Sequence, residues 1–166
     1  MKRKLLIYSK PSSSNNLVDW PDNFLGFKLV KYKPGFGDFT RYGLSWKVNF
    51  LWYLFSKGNF CILVLIEDNL VVHYSYLTPK VFRFPFMKKG DVQVGPCVTH
   101  VSYRGKGIFS RVLELIPELY SRSETIWTYT TEDDIAAQKA FKNAGYSFTT
   151  FAEMSLRTKI VRFIKF

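Results

Sequence analysis

Residues Thr99–Arg111 have the sequence T-H-V-S-Y-R-G-K-G-I-F-S-R, and they decide the fold that we predict for the chain. The apolar run before them predicts a strand over Val92–Val101 with a bulge or kink at Gly95-Pro96. Apolar residues at helical spacing after them predict a helix over Ile108–Tyr120. Pro117 predicts that this helix bends or ends early, because proline lacks a backbone donor.

Six residues, Arg104–Phe109, join the predicted strand to the predicted helix, and we call them the glycine turn. Gly105 and Gly107 allow backbone N–H groups to converge without an intervening side chain. The helix that follows adds unpaired amides and the positive end of its dipole. The turn therefore predicts an anion site, with phosphate as the first candidate. The alternative is a tight turn whose glycines serve backbone geometry alone.

The run V-T-H-V-S-Y-R-G-K-G-I-F resembles the acyl-CoA-binding motif of the GNAT superfamily of N-acyltransferases, in which Arg or Gln is followed by two residues, Gly, one residue, and Gly or Ala. Arg104 and Gly107 match this motif, and Phe109 departs from it. The resemblance implies that the backbone N–H groups of Thr99 and Val101 face the thioester carbonyl oxygen. It also implies that one set of residues holds the pyrophosphate of acyl-CoA: Arg104, Gly105, Lys106, Gly107, Ile108 and Phe109.

A second segment, Asp134–Tyr146, resembles the late helix of the same superfamily. Ala137 and Gly145 fit its pattern, whereas Asp134 replaces the usual Asn. Phe141 replaces the Tyr that protonates the departing CoA thiolate in many members. The resemblance implies that Asp134 and Phe141 lie beside the bound acyl-CoA.

The resemblance implies an α+β fold with a mixed, mostly antiparallel sheet of about six to seven strands and helices on both faces. We expect a single domain over residues 1–166. The implied reaction is acetyl transfer from acetyl-CoA, as acyl-donor co-substrate, to a primary amine of a small molecule, without a metal. A basic and aromatic acceptor region would suit a nucleotide-linked amino sugar of surface-polysaccharide biosynthesis.

The catalytic groups are less clearly indicated than the acyl-CoA site. His100 and Asp91 are candidates for the general base, and Glu67 and His73 are further candidates. A structural role is the alternative for each, and water would serve an amine of modest pKa. Tyr129 is the candidate for the acid that protonates the thiolate, and the alternative is that its ring only packs across the strands.

The totals of the sequence restrict the class of protein. With 47% hydrophobic and 22% charged residues among 166, the composition is that of a globular protein. The net charge of +11 attracts polyanions, and the phosphates of coenzyme A suffice as an explanation. We expect no nucleic-acid partner, because a nucleic-acid-binding domain would rest on charge alone. Cys61 and Cys97 lie in apolar runs and are predicted to be buried free thiols.

The start of the chain, M-K-R-K-L-L-I-Y-S-K, has an apolar run too short for a signal peptide, and no apolar stretch reaches membrane-spanning length. We therefore expect a cytoplasmic protein without an integral membrane segment, and a homodimer is left open. A second hypothesis is a catalytically weakened GNAT-like module that binds acyl-CoA or regulates a partner. It rests on the departures from the motif at Phe109, Asp134 and Phe141.

The sequence also predicts a helix over Leu44–Phe55, ended by Lys57 and Gly58. Its aromatic residues are predicted to be core, with an acceptor groove or a partner surface as the alternative. Its predicted apolar face consists of Leu44, Val48, Leu51, Trp52 and Phe55. The other predicted elements are strands at Leu5–Tyr8, Phe60–Ile66, Leu70–Leu77, Ile126–Tyr129, Tyr146–Leu156 and Lys159–Phe166, loops at Pro11–Asn16, Val30–Thr40 and Pro79–Gly90, a hairpin turn at Glu67–Asn69, and a helix from the N-cap Thr131 to Ala144.

Overall fold

The fold is a single β-sheet covered by helices, seen in a computed structural model that describes residues 2–12, 19–120 and 125–164. The strands are β1 Lys2–Pro11, β2 Asn23–Phe24, β3 Phe27–Tyr32, β4 Cys61–Glu67, β5 Leu70–Pro79, β6 Val92–Thr99, β7 Thr125–Thr130, β8 Ser147–Ser155 and β9 Val161–Phe163. The helices are α1 Trp46–Ser56, α2 Ile108–Leu119 and α3 Ile135–Asn143, with short 3₁₀ helices at Arg41–Gly43 and Val101–Tyr103. The strand order across the sheet is β2-β3-β4-β5-β6-β7-β1-β8-β9.

Helices lie on both faces of the sheet, as predicted. Ile116 of α2 and Phe141 of α3 belong to the apolar core on one face. Trp52 of α1 and Phe84 of the loop after β5 belong to the core on the other face. The α+β class is therefore confirmed, but the described residues form nine strands, where six to seven were predicted.

The prediction of a loop over Val30–Thr40 is wrong at its start. Residues 30–32 belong to β3, which pairs with β4 through Val30–Val64 and Tyr32–Ile62. The glycine and proline residues that indicated a loop begin only after Tyr32. The predicted loop therefore started too early in the sequence. Residues 13–16 of the predicted loop at Pro11–Asn16 and residues 165–166 of the predicted last strand lie outside the described residues.

The sheet opens between β6 and β7, the two neighbouring strands that run parallel in the described part of the chain. They pair only through Val92–Ile126 and Gln93–Trp127. Beyond these pairs, the Thr128 hydroxyl donates to the Val94 carbonyl at 3.2 Å. The strands then continue to Thr99 and Thr130 without pairing with each other. A cleft therefore forms at their carboxyl ends.

The predicted bulge at Gly95-Pro96 is confirmed. Leu77 pairs with Val94 while Ser75 pairs with Cys97, so β6 carries an extra residue at this point. The hairpin turn between β4 and β5 is also confirmed, with both central residues, Asp68 and Asn69, at positive φ. Cys61 and Cys97 are free cysteines, as predicted; Cys61 is buried and Cys97 half-buried.

Helix α1 turns a different face to the core from the one predicted. Its buried residues are Asn49, Trp52 and Ser56, whereas Leu51 and Phe55 are exposed. The prediction assumed that apolar residues lie inward, but nearly every position of this helix is apolar. The pattern therefore could not show which side faces the sheet. The end of the helix at Lys57 and Gly58 is confirmed, since both adopt positive φ.

Hydrogen bonds explain why polar side chains of α1 lie inside. The Asn49 amide donates to the Phe39 carbonyl at 2.6 Å and accepts from the Tyr76 hydroxyl at 2.6 Å. The Ser56 hydroxyl donates to the Trp52 carbonyl at 2.7 Å. Because the buried Asn49 amide has hydrogen-bond partners on two other segments, it fixes the rotation of α1 about its own axis.

Helix α3 begins later than predicted. Its N-cap is Asp134, whose carboxylate accepts from the Ala137 amide at 3.0 Å, and not Thr131. The acidic residues at 132 and 133 precede the helix in a turn, so they do not form its first turn. Gly145 follows the helix with φ of 78°, which confirms the predicted glycine cap.

Helix α2 does not end early at Pro117, which was one of the two predicted outcomes, but runs to Leu119. Proline has no N–H to donate to the carbonyl four residues earlier, which belongs to Leu113. The Tyr146 hydroxyl donates to that carbonyl at 3.3 Å. A side chain from the segment after α3 therefore replaces the missing backbone donor.

Tyr146→Phe is expected to lower the free energy of unfolding by about 1–3 kcal/mol, because the buried Leu113 carbonyl loses its donor. Pro117→Ala restores a backbone N–H for this carbonyl. In the Pro117→Ala background we therefore expect Tyr146→Phe to cost less than about 1 kcal/mol. Urea unfolding of the four proteins measures this coupling. Equal costs in the two backgrounds would show that the hydroxyl does not substitute for the missing amide.

Candidate functional site

The glycine turn forms an open surface at the start of α2. Gly105 and Gly107 have φ of 76° and 74°, a conformation that favours glycine. A Cβ added at either position would meet no atom within 4 Å. The glycines therefore serve backbone conformation, and the space above them is free for a ligand.

The amides of this turn are unpaired. The backbone N–H groups of residues 105–110 form no hydrogen bond within the described part of the chain. The Arg104 amide donates to the Val101 carbonyl at 3.3 Å, and the Arg111 amide donates to the Gly107 carbonyl at 3.1 Å. Unpaired amides at the positive end of a helix dipole are the arrangement that binds phosphate in proteins.

Two cations flank these amides and have neutral partners. The Arg104 guanidinium donates through Nε to the Thr99 carbonyl at 3.1 Å. The Lys106 ammonium lies 4.8 Å from the centre of the Tyr103 ring. Neither forms an ion pair with an acidic side chain in residues 2–12, 19–120 and 125–164. Both charges are therefore available to an anion at the turn.

A cavity of about 590 Å³ lies beside the turn. This volume is typical of small-molecule sites. Of the predicted acyl-CoA residues, Lys106, Gly107 and Ile108 line it. The other walls could not be predicted from the sequence, because no local pattern shows that the β2–β3 hairpin and the end of α3 lie next to the turn. These walls are Leu25, Phe27 and Asn143, and the remaining lining residues are Ser110, Arg111 and Glu114.

The end of β6 directs one predicted oxyanion donor into the cleft. The His100 amide donates to the Val72 carbonyl of β5 at 2.8 Å. Because N–H groups alternate in direction along a strand, the Thr99 amide points away from β5 and towards β7. Val101 lies beyond the strand in a 3₁₀ helix, with 69% of its surface exposed. The amides of Thr99 and Val101 therefore do not lie along the same edge of β6, and only the Thr99 amide belongs to the strand.

A buried histidine holds the Thr99 side chain. His73 Nδ1 lies 2.8 Å from Thr99 Oγ1, and Nε2 lies 2.8 Å from Ser75 Oγ. Burial lowers the pKa of His73 to about 4. The ring is therefore neutral near pH 7, so one nitrogen donates and the other accepts. These two hydrogen bonds link the side chains of Ser75, His73 and Thr99, and they hold the Thr99 hydroxyl beside the cleft.

The two phenylalanines that depart from the motif pack against each other. The centre of the Phe109 ring lies 5.9 Å from His73 and 5.9 Å from Phe141. Phe141 is 2% exposed and also contacts Tyr8, with ring centres 5.1 Å apart. Phe109 therefore points into the core, away from the open surface of the turn. Phe141 is a core residue and does not line the cavity.

Asp134 lies at the open end of β7, where it caps α3. Its carboxylate accepts from the Ala137 amide and from the Thr130 hydroxyl, at 3.0 and 3.3 Å. Of the candidate bases, His100 is half-buried beside the turn, and its Nδ1 accepts from the Ser102 amide at 3.4 Å. Glu67 accepts a hydrogen bond from the Tyr103 hydroxyl.

Tyr129 lies near the open end of β7 on the face covered by α1. Its hydroxyl accepts from the Arg83 guanidinium at 3.0 Å. Burial raises the pKa of Tyr129, and Arg83 opposes this in part. The phenol therefore keeps its proton at neutral pH.

Asp91, the other candidate for the general base, does not lie with these residues. It precedes β6, about 26 Å of strand away from Thr99. Its carboxylate accepts from Trp127 Nε1 and from the Lys88 amide, both at 2.8 Å. Asp91 is thus at the paired end of β6 and β7. No group of three or more His, Cys, Asp or Glu side chains in the described residues is arranged to bind a metal.

Comparison with known proteins gives the fold. No protein-family model matches the sequence, and no curated protein matches it. In structure, the chain is similar to a GCN5-related N-acetyltransferase from Sphaerobacter thermophilus (TM-score 0.61, 13% identity, 99% of this chain and 54% of that one). It is also similar to an acetyltransferase of the GNAT family from Colwellia psychrerythraea (0.58, 16%, 98% and 56%) and to a GNAT-family protein from Novosphingobium aromaticivorans (0.58, 14%, 92% and 63%).

The chain therefore has the GNAT fold, which agrees with the resemblance in its motifs. It spans between 54% and 63% of the lengths of these solved structures. No helix in residues 2–12, 19–120 and 125–164 is long and apolar enough to cross a membrane.

The low pKa of His73 predicts a loss of stability in acid. The unfolded chain binds a proton below pH 6.5, the ordinary value, whereas the folded chain binds it only below about 4. Stability contributed by the neutral ring is thus complete above pH 6.5 and falls by about 3 kcal/mol as the pH drops to 4. Urea unfolding between pH 7 and 4 measures this slope. In His73→Gln the slope should be shallower; an unchanged slope would show that His73 is not its source.

Proposed function

We propose that this chain is an acyl-CoA-dependent N-acetyltransferase that transfers an acetyl group from acetyl-CoA to a primary amine of a small molecule. The observation that carries the proposal is the set of unpaired amides at residues 105–110. These amides lie beside a cavity and follow the end of β6, where this strand no longer pairs with β7. The GNAT fold, which the chain shares with proteins described as acetyltransferases, supports the same function.

In this proposal the glycine turn binds the pyrophosphate of acetyl-CoA. The amides donate to the phosphate oxygens, while Arg104 and Lys106 neutralise their charge. The exposed Arg111 lines the cavity but forms an ion pair with Glu114 at 2.8 Å, so part of its charge is already balanced. The acyl-bearing arm then enters the cleft between β6 and β7, where no strand pairing has to be broken.

The groups around the cleft suit attack of an amine on a thioester. The Thr99 amide faces the cleft and stabilises negative charge on the carbonyl oxygen. The C–N bond forms as the C–S bond breaks, and the electron pair leaves on sulfur. His100 or water takes the proton of the ammonium. A thiolate with a pKa of about 8.5 is a tolerable leaving group, so Tyr129 assists its departure as the acid but is not essential.

Arg83 supports an anionic acceptor. Its guanidinium lies 5.8 Å from the Trp52 ring and 5.3 Å from the Phe84 ring, and donates to the Tyr129 hydroxyl and the Lys159 carbonyl. In the described residues it has no carboxylate partner. A half-buried cation among neutral groups would bind a phosphate or carboxylate. A nucleotide-linked amino sugar of surface-polysaccharide biosynthesis fits this requirement.

Phe141 favours a second candidate function, a module that binds acyl-CoA without turnover. It occupies the position of the usual tyrosine acid and is buried in the core, so it cannot donate a proton. The two candidates share the acyl-CoA site and differ in whether thiol is released.

Binding to the glycine turn can be tested with Gly107→Glu, which places a carboxylate among the unpaired amides. Affinity for coenzyme A should fall at least about tenfold because the new charge repels the phosphates. Gly43→Glu is the matched control, since Gly43 has a similar φ of 66° and open space around it but lies before α1. Calorimetry and the ligand-induced rise in Tm measure the effect. Equal losses in the two variants, or no binding by the wild type, would refute the site.

Turnover can be tested by thiol release from acetyl-CoA against amino sugars, nucleotide-linked amino sugars, polyamines and amino acids. With an accepted amine, Tyr129→Phe should lower kcat about tenfold without changing coenzyme A affinity, because only the acid is lost. An unchanged kcat would exclude Tyr129 as the acid. Binding of acetyl-CoA without thiol release across the panel would favour the second candidate.

A further inference from the structure

Helix α1 exposes apolar side chains and buries polar ones. Asn49 and Ser56 are 0% and 6% exposed, whereas the exposed fractions of Trp46 and Leu54 are both 53%. Leu51 and Phe55 are likewise exposed, at 48% and 43%. A helix that packs only against its own sheet would have the opposite distribution.

The exposed residues of α1 continue onto the loops on both sides. Phe82, from the loop after β5, packs edge-on against Phe55 with ring centres 4.9 Å apart. Phe39, before α1, contacts Phe50 and Tyr53 at 5.9 and 5.6 Å. Phe36, 87% exposed, contacts Phe39 and Tyr53 in turn. We call this set the aromatic surface: Phe36, Phe39, Trp46, Phe50, Leu51, Tyr53, Leu54, Phe55 and Phe82.

The segments that carry the aromatic surface are basic. Within residues 33–58 and 79–82 there are five cations and a single acid, Asp38, which lies 3.8 Å from Arg41. All five cations are exposed. Lys47 extends from α1 itself, 6.0 Å from the centre of the Trp46 ring. The five are Lys33, Arg41, Lys47, Lys57 and Lys80.

We propose that the aromatic surface docks on an anionic lipid membrane. Leucine and phenylalanine side chains enter the boundary between headgroups and acyl chains, and tryptophan rests at headgroup level. The lysines and the arginine around them attract acidic headgroups. A helix that lies in the membrane interface needs these residue types together, with its apolar side outward.

Charge favours a membrane over a second copy of this chain. A symmetric dimer through the aromatic surface would bring two sets of these cations together, on chains that each carry a net charge of +11. Nucleic acid would also be attracted, but bases stack on rings and gain little from Leu51 and Leu54. An anionic membrane accommodates both the aliphatic residues and the cations.

Docking in this orientation leaves the proposed acyl-CoA site accessible. Helix α1 lies on the face of the sheet opposite α2 and α3. The glycine turn and its cavity are at the start of α2, so they would face the aqueous phase. The proposal does not depend on acetyl transfer, and failure of either leaves the other intact.

Co-sedimentation of the full chain with vesicles tests the proposal. We expect binding to vesicles of phosphatidylcholine with phosphatidylglycerol, weakened by salt, and much less to phosphatidylcholine alone. Leu54→Ser should weaken binding several-fold, whereas Ile135→Ser, at a 66% exposed position of α3, should not. Lys47→Glu with Lys57→Glu should weaken it about tenfold or more. Lys139→Glu with Lys142→Glu on α3 is the control with the same change of net charge.

Four outcomes would overturn the proposal. The first is no binding of the wild type to the anionic vesicles. The second is equal loss in the α1 pair and the α3 pair of charge variants, which would indicate attraction by net charge alone. The third is a dimer in light scattering that Leu54→Ser dissociates, which would make the surface a self-interface. The fourth is tighter binding to single-stranded nucleic acid, lost in the same α1 variants.

Discussion

The two parallel strands β6 and β7 share only two residue pairs, and their divergence beyond these pairs creates the candidate site. At the paired end, Asp91 accepts from Trp127 of β7, and Thr128 donates to Val94 of β6. These bonds hold the strands together where they meet. At the other end the Thr99 amide is left facing a cleft, and the chain turns through two glycines into α2. The Thr99 amide and the amides of the glycine turn are open to a ligand because β6 and β7 stop pairing before this point.

The departures from the GNAT motif compensate each other in the core. A large residue at 109 would obstruct the turn if it faced outward, but its ring lies between His73 and Phe141. Phe141 in turn supplies the apolar surface that this ring needs. His73 remains neutral in these surroundings and uses both nitrogens to hold Thr99 and Ser75. One set of contacts thus fills the core and orients the strand end at the cleft.

Local signals allowed much of the fold to be predicted, whereas distant partners were missed. The glycine turn, the hairpin at Asp68 and the glycine cap at 145 follow from residues close together in sequence. The continuation of α2 through Pro117 depends on Tyr146, a residue beyond α3, so no local pattern indicated it. The inward face of α1 depends on Asn49 meeting Tyr76, and the cavity wall depends on Leu25. In each case the outcome depends on a contact between residues far apart in sequence, which a local pattern does not show.

The position of β1 has a consequence for how the chain reaches its native state. This first strand lies between β7 and β8, and Leu6 pairs with both Thr130 and Phe151. During synthesis on the ribosome, β1 therefore stays without its partners until β7 and β8 have emerged. Such non-local pairing slows folding and leaves an apolar strand edge open to aggregation. We expect nascent chains of this protein to need protection by a chaperone until β8 is made.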